Sequence, residues 1–353
     1  MTRSSASLST AIDEALTLGL GSAASVVLAV EGDVVVEHHA GTTRSWEGPG
    51  IRKVRHGRRV EASTRFDLAS VTKPIVAAAL LAELDARALD PALPVAELLP
   101  EFRDGPARST TIAQLLNHTA GFAAEWPDRA PDPRAVRFRA GARPEAPPGT
   151  RHHYSCVGYI WAGLAAEALA GIPLDDLVRQ RVLGPLGMHQ TGYRPDPSTR
   201  SGIAATEVQL GRGLVHGEVH DETAAALGGV SGNAGLFGTA RDLLRFAEAL
   251  RTGGLVDGRR VLAPAVTEAL TTLRPLPTDP GFGQALGPRL DEAWMRGLGR
   301  TTAGHTGFTG TAFATEPGGA RSIVLLTNRV HPTRDDDAIH GLRARVAGLA
   351  GQW

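Results

Sequence analysis

Ala69-Ser70-Val71-Thr72-Lys73-Pro74 is the stretch that decides how this chain reads. Of its 37 basic residues only Lys53 and Lys73 are lysines; the rest are arginine. Arginine is in effect permanently protonated, whereas lysine can lose its proton when desolvated or placed beside another cation. A chain that avoids lysine, yet keeps one three residues after a serine, carries a candidate amine base for a hydroxyl nucleophile. Ile75, Val76, Ala79, Leu80 and Leu84 follow at helical spacing and predict a helix with one buried stripe. Pro74 falls in its first turn, where backbone N–H groups have no intrahelical partners to lose. Ser70 is therefore expected at a helix N-terminus, with Lys73 one turn on and facing the same side. Ser-x-x-Lys also arises by chance, so the motif needs partners.

Composition narrows the classes. At 353 residues the chain is long enough for a substantial core. Its 37 basic and 37 acidic residues cancel, which argues against nucleic-acid binding and against a polybasic membrane surface. The lone cysteine, Cys156, excludes an internal disulfide, so nothing calls for an oxidising compartment. The apolar run Ala15 to Val30 follows Asp13 and Glu14, not a basic region, and Gly19 and Gly21 interrupt it, which argues against a signal peptide. With no apolar stretch of membrane-spanning length, the expectation is a soluble, cytoplasmic protein.

Coarse elements follow from periodicity and turn chemistry. Leu8 to Leu18 reads as a helix. Ser25 to Val30 and Val34 to His38 flank Glu31-Gly32-Asp33 as a β-hairpin. A loop from Gly41 to Arg59 leads to a short strand at Arg65 to Leu68. Helices are expected at Ile112 to Leu116, Gly158 to Ala170, Leu174 to Val182, Arg241 to Arg251 and Ala263 to Leu273. A Pro/Arg-rich loop, Trp126 to Pro148, reads as the mobile element. Strands return at Thr309 to Thr315 and Ser322 to Asn328, around a turn at Glu316 to Gly319, and a helix closes the chain from Asp336 to Leu349. Strands at both ends with helices between predict an α/β (α+β) fold: an antiparallel sheet completed by the N- and C-terminal segments, carrying a helical middle. The expected division is a single domain over 1–353. Its sheet part spans about 1–69 and 291–353, and its helical part about 70–290. The active site would lie in the cleft between them.

Tyr154-Ser155-Cys156 and His305-Thr306-Gly307 supply the missing partners. In order, the three segments resemble the serine β-lactamase and D-alanyl-D-alanine carboxypeptidase superfamily: Ser-x-x-Lys, then Tyr-x-Asn, then Lys/His-Thr-Gly. Leu115 to Gly121, Gly217 to Glu222 and Gly235 to Leu243 are similar to segments of its class C-like hydrolase and esterase branch. The resemblance implies a β-lactamase/transpeptidase-like fold, Ser70 as nucleophile and Lys73 as its base. To supply neutral amine at pH 7, Lys73 would have to fall about three units from about 10.4, roughly 4 kcal/mol of environment. It further implies Tyr154 as a proton shuttle aided by nearby cations. His305 takes the third-motif position, where a charged ring would depress its neighbours and attract anions. The backbone N–H groups of Ser70 and Phe308 would form the oxyanion hole, with Thr306, Gly307 and Cys156 lining the substrate.

One position departs from the pattern. Cys156 stands where the family usually has asparagine, and a thiol offers only one weak donor and a weak acceptor in place of an amide. That weakens lactamase and peptidase readings more than acyl-enzyme chemistry itself. His38-His39 and His152-His153 lack the second ligand pair of a zinc site, and Gly229-Val-Ser231-Gly-Asn233 fails the Gly-x-Ser-x-Gly pattern at its last position. His118 reads as structural, and His220 and Asp221 as residues of a loop near the site. The expectation is a serine hydrolase acting on small esters or activated acyl groups, with neither metal nor organic cofactor. The partner is a small-molecule ester, amide or acyl substrate, and oligomeric state is left open. Alternatives are an acyltransferase to an amine or alcohol, a weak β-lactamase or D-amino peptidase, and a silent binding or sensor module.

Overall fold

Two apolar runs nearly three hundred residues apart meet at the centre of one sheet. The computed structural model describes residues 3–45, 57–126, 143–299, 301–335 and 337–353. Its main sheet contains β1 (Ala23–Val30), β2 (Asp33–Gly41), β3 (Gly283–Gln284), β4 (Arg289–Leu290), β5 (Ala303–Thr306), β6 (Ala312–Thr315) and β7 (Arg321–Thr327). The strand order is β3-β4-β5-β6-β7-β1-β2, antiparallel at every pairing. The hairpin and the two C-terminal strands appear where the apolar runs predict them, and β7 pairs with β1 in a register that sets Val26 against Leu325.

The runs are apolar on both faces because both faces are covered. Val26, Leu28, Ile323 and Leu325 pack with Leu8, Ile12 and Val346 of α1 (Arg3–Thr17) and the C-terminal helix Ile339–Ala350. The alternate residues Val27, Ala29, Val324 and Leu326 join the larger core, with Phe246 of the helix Ala240–Arg251 against Phe313 of β6. Each such side chain, fully buried, contributes about 1.5–3 kcal/mol.

Helices occupy the middle of the chain, at Thr72–Asp85, Ile112–Leu116, Cys156–Ala170, Leu174–Val178, Ala240–Arg251 and Pro264–Thr271. The one after Ser70 differs from its expectation. It is not amphipathic: 12 of its 14 residues are buried, so it is a core helix enclosed on all sides. The helix from Leu174 stops at Val178 and passes into a wider turn over Arg179–Leu183. Within the two expected loops, 46–56 and 127–142 lie outside the described residues. Among the described residues, no single helix is long and apolar enough to cross a membrane.

Asn328 ties the chain's two ends together. Its Oδ1 accepts the N–H groups of Ser22 (2.9 Å) and Ala23 (2.8 Å), while Nδ2 donates to Ser22 Oγ (3.0 Å) and the Ala205 carbonyl (2.8 Å). Replacing it orphans several buried polar groups, each worth about 1–3 kcal/mol. Asn328→Ala is expected to lower unfolding free energy by about 2–4 kcal/mol in urea titration.

Candidate active site

Ser70 lies in a single 3-10 turn, Ala69–Val71, that leads into the buried helix Thr72–Asp85. Ala69 takes φ +47°, a conformation that strains an L-residue. Asp67 holds that turn. Its carboxylate accepts the Ala69 N–H at 2.8 Å and the His220 N–H at 2.7 Å, and its complete burial pushes its pKa up. The turn is clasped from the sheet side by the β5–β6 connection. Thr309 Oγ1 donates to the Asp67 carbonyl (2.7 Å) and Thr311 Oγ1 to the Leu68 carbonyl (2.9 Å). Gly307 fits because a Cβ there would stand 2.6 Å from the Leu68 oxygen. Arg343, from the C-terminal helix, donates to the carbonyls of Gly307 (2.7 Å) and Thr311 (3.1 Å). Burial pushes this guanidinium down to about 10. Phe308, next to Gly307, is exposed, its ring stacked on His220.

Lys73 is fully buried, and its Nζ donates to three acceptors: Ser70 Oγ (2.8 Å), the Asn233 carbonyl (3.0 Å) and Cys156 Sγ (3.4 Å). Three donors on three acceptors is the geometry of an ammonium. Its pKa moves opposite to the sequence expectation. Burial lowers it, but the anionic forms of Cys156 and Tyr154 beside it raise it more, and the net direction is upward. The depressed lysine anticipated from burial alone is thus corrected by its neighbours.

Cys156 opens the helix Cys156–Ala170, whose N-cap Ser155 accepts the Gly158 N–H at 2.9 Å. Two residues earlier, the half-buried Tyr154 ring sits amid cations. Lys73 Nζ and the Arg289 guanidinium are each 5.0 Å from its centroid. Arg289, on β4 opposite Gly304, had no sequence signal, since an arginine among so many is anonymous.

His305 lies 6.2 Å from Tyr154, centroid to centroid, and is buried. Its Nδ1–H donates to the Thr306 carbonyl at 2.8 Å, leaving the Nε2 lone pair without a partner among the described residues. Burial, then Arg289 and Lys73, push its pKa well below 6.5. The ring is therefore neutral, and the positive charge that a protonated ring would bring to this position comes from Arg289 instead. His118 is likewise buried and neutral, its ring 4.5 Å from that of Tyr154, centroid to centroid, and tilted by 37°. His220 lies beside Phe308 but is bonded to Glu207 (2.8 Å), which is also paired with Arg334; burial raises the Glu207 carboxyl, but the His220 bond and then Arg334 outweigh it and bring it down to about 2. Among the described residues, no three His, Cys, Asp or Glu side chains are grouped to hold a metal ion.

Asn233 carries no sequence signal beyond a broken Gly-x-Ser-x-Gly, yet its carbonyl reaches Lys73. Gly232 permits this approach, because a Cβ there would meet the Tyr159 carbonyl at 1.9 Å.

The chain belongs to the beta-lactamase family, whose model matches residues 12–348. It is 28% identical over 346 residues to the N-acetylmuramyl-L-alanine amidase of Bacillus subtilis (strain 168), covering 87% of this chain and 77% of that protein. Its fold is shared by EstCE1, a hydrolase with promiscuous acyltransferase activity, with TM-score 0.75, 22% identity, and coverage of 99% of this chain and 100% of that one. A beta-lactamase/D-alanine carboxypeptidase from Pseudomonas syringae superposes with TM-score 0.79 at 18% identity, covering 98% of each chain. The superfamily and fold expected from the three motifs are correct: this is a member of the serine β-lactamase-like hydrolases.

A stability prediction follows from the neutral His305. Its folded pKa lies below its unfolded value of 6.5, so its stability contribution is complete above about pH 6.5 and is lost as pH falls toward the folded value. In thermal or urea unfolding across pH 4–7, His305→Asn is expected to reduce the acid-side loss by up to about 1.4 kcal/mol per pH unit.

Proposed function

We propose that the protein is a serine hydrolase that forms an acyl-enzyme on Ser70 and turns over small esters or activated acyl groups. The observation that carries this reading is the 2.8 Å contact of Lys73 Nζ with Ser70 Oγ at a helix N-terminus. In the mechanism we propose Tyr154 enters this step as a phenolate: Ser70 Oγ attacks the carbonyl carbon and its proton passes to the Tyr154 oxygen. Lys73 stays an ammonium, holding Ser70 and offsetting the charge on Tyr154. The carbonyl electrons move to oxygen, which faces the N–H groups of Ser70 and Phe308 and the positive end of the helix. Collapse breaks the bond to the leaving oxygen, which takes the proton back and departs as an alcohol. Water then attacks the acyl-enzyme with Tyr154 again receiving the proton, restoring Ser70 and releasing the acid.

Cys156 directs the choice of substrate. An amide substrate presents an N–H and a carbonyl to be held, and a thiol serves both poorly. An ester asks less of that position, which favours esterase over peptidase or lactamase chemistry. A second reading is transfer of the acyl group to an amine or alcohol, favoured by the promiscuous acyltransferase activity of EstCE1. Added acceptors that outcompete water during turnover would identify it.

A fluorophosphonate is expected to form an adduct on Ser70, seen by mass spectrometry and absent in Ser70→Ala, and p-nitrophenyl acetate to be hydrolysed. No adduct and no turnover would overturn the enzyme reading. Tyr154→Phe is expected to lower kcat/KM about 10²–10⁴-fold, the usual loss on removing a general base. Cys156→Asn should raise turnover of a chromogenic cephalosporin at least about tenfold; an unchanged rate would remove Cys156 from the specificity argument.

A further inference from the structure

His118 is buried to 2% exposure at φ +61°, a backbone conformation that costs energy for any residue with a Cβ. Strain of this kind persists only where the surroundings impose it, and here two hydrogen bonds of His118 converge on one short segment. The His118 carbonyl accepts the N–H of His153 at 2.9 Å. Its side-chain Nδ1 accepts the N–H of Ser155 at 3.1 Å. Between those two anchors sits Tyr154, whose ring lies 4.5 Å from the imidazole, centroid to centroid, at 37°. One residue thus grips the chain before Tyr154, the chain after it, and the ring itself. The left-handed backbone lets main chain and side chain of His118 reach the same tripeptide.

Its chemistry suits that task and no proton transfer. Nδ1 accepts from an amide, so in the neutral ring the hydrogen is on Nε2, which is buried without a partner among the described residues. Tyr159 closes the other side at 5.1 Å, its own hydroxyl donating to the Leu116 carbonyl at 2.8 Å. We propose that His118 is a positioning residue for Tyr154, clamping residues 153–155 so that the phenol is held at the Ser70–Lys73 pair. This rests on the acyl-enzyme reading for its consequence in turnover, but the clamp itself is independent of it.

Two variants separate the clamp from backbone strain. His118→Gly accepts the positive φ without cost but has neither acceptor nor ring. His118→Asn tolerates the same φ, and its amide oxygen occupies the place of Nδ1, so the bond to Ser155 can re-form. For p-nitrophenyl acetate, H118G is expected to lose about 100-fold in kcat with KM changed less than about threefold, the signature of a displaced reacting group. H118N is expected to recover to within about fivefold of the parent kcat. Equal kcat in H118G and the parent, or equal losses in H118G and H118N, overturns the proposal.

A readout free of catalysis accompanies these. With only three tyrosines, ring-13C-tyrosine labelling gives three resolvable environments, and Tyr154→Phe identifies the relevant one. In H118G the Tyr154 signal should shift or broaden while that of Tyr193 stays in place; an unmoved Tyr154 signal overturns the clamp. If the parent protein neither labels nor turns over the ester while the Tyr154 signal moves, the enzyme reading fails and the clamp stands.

Discussion

Lys73 is a buried charge with no direct carboxylate partner among the described residues, and the architecture around Ser70 is arranged to hold it. Burying an unpaired ammonium is strongly unfavourable unless its hydrogens are all satisfied. Here they are satisfied by a hydroxyl of its own turn, a thiol at the start of the helix Cys156–Ala170, and a carbonyl at Asn233. Those three acceptors are spread along the chain from Ser70 to Asn233, so the ammonium can be satisfied only when the helical region is fully assembled. The glycines follow from this. Gly163 and Gly232 bring the helix and the Asn233 segment within backbone contact, where a Cβ on Gly163 would stand 2.9 Å from the Gly232 nitrogen.

The sheet contributes the other half by the same kind of constraint. Thr309 and Thr311 fasten the β5–β6 connection to Asp67 and Leu68, and Arg343 ties the same connection to the C-terminal helix, so the nucleophile's turn and the third motif are held as one piece. That clasp holds Phe308, between Gly307 and Thr309, without any covalent link. Its strength lies in buried bonds from side chains to backbone carbonyls, which have no alternative partner in water once the cleft closes over them.

Electrostatically, the site has fixed cations and neutral imidazoles. Lys73 and Arg289 flank Tyr154, while His118 and His305 are kept neutral by burial and by those same cations. The overall charge balance of zero conceals this local asymmetry. Two fixed cations thus lie over the phenol ring, and the rings packed beside it are neutral.

The sequence alone carried the fold, because apolar runs at the two ends and three short motifs in fixed order are local patterns that survive without coordinates. Ser70 at a helix start and Lys73 one turn later follow from Pro74 and helical spacing, which involve only neighbours in the chain. Tertiary structure decided the protonation states. Lys73 is pushed up by Cys156 and Tyr154, and His305 down by burial and Arg289, through contacts between residues 16 to 83 positions apart in the chain. It also supplied Asn233, Arg289, Asp67 and the clamp at His118, none of which has a distinctive local pattern. A motif names the atoms that react; the charge each one carries is set by what folds against it, and that is a property of space rather than of order along the chain.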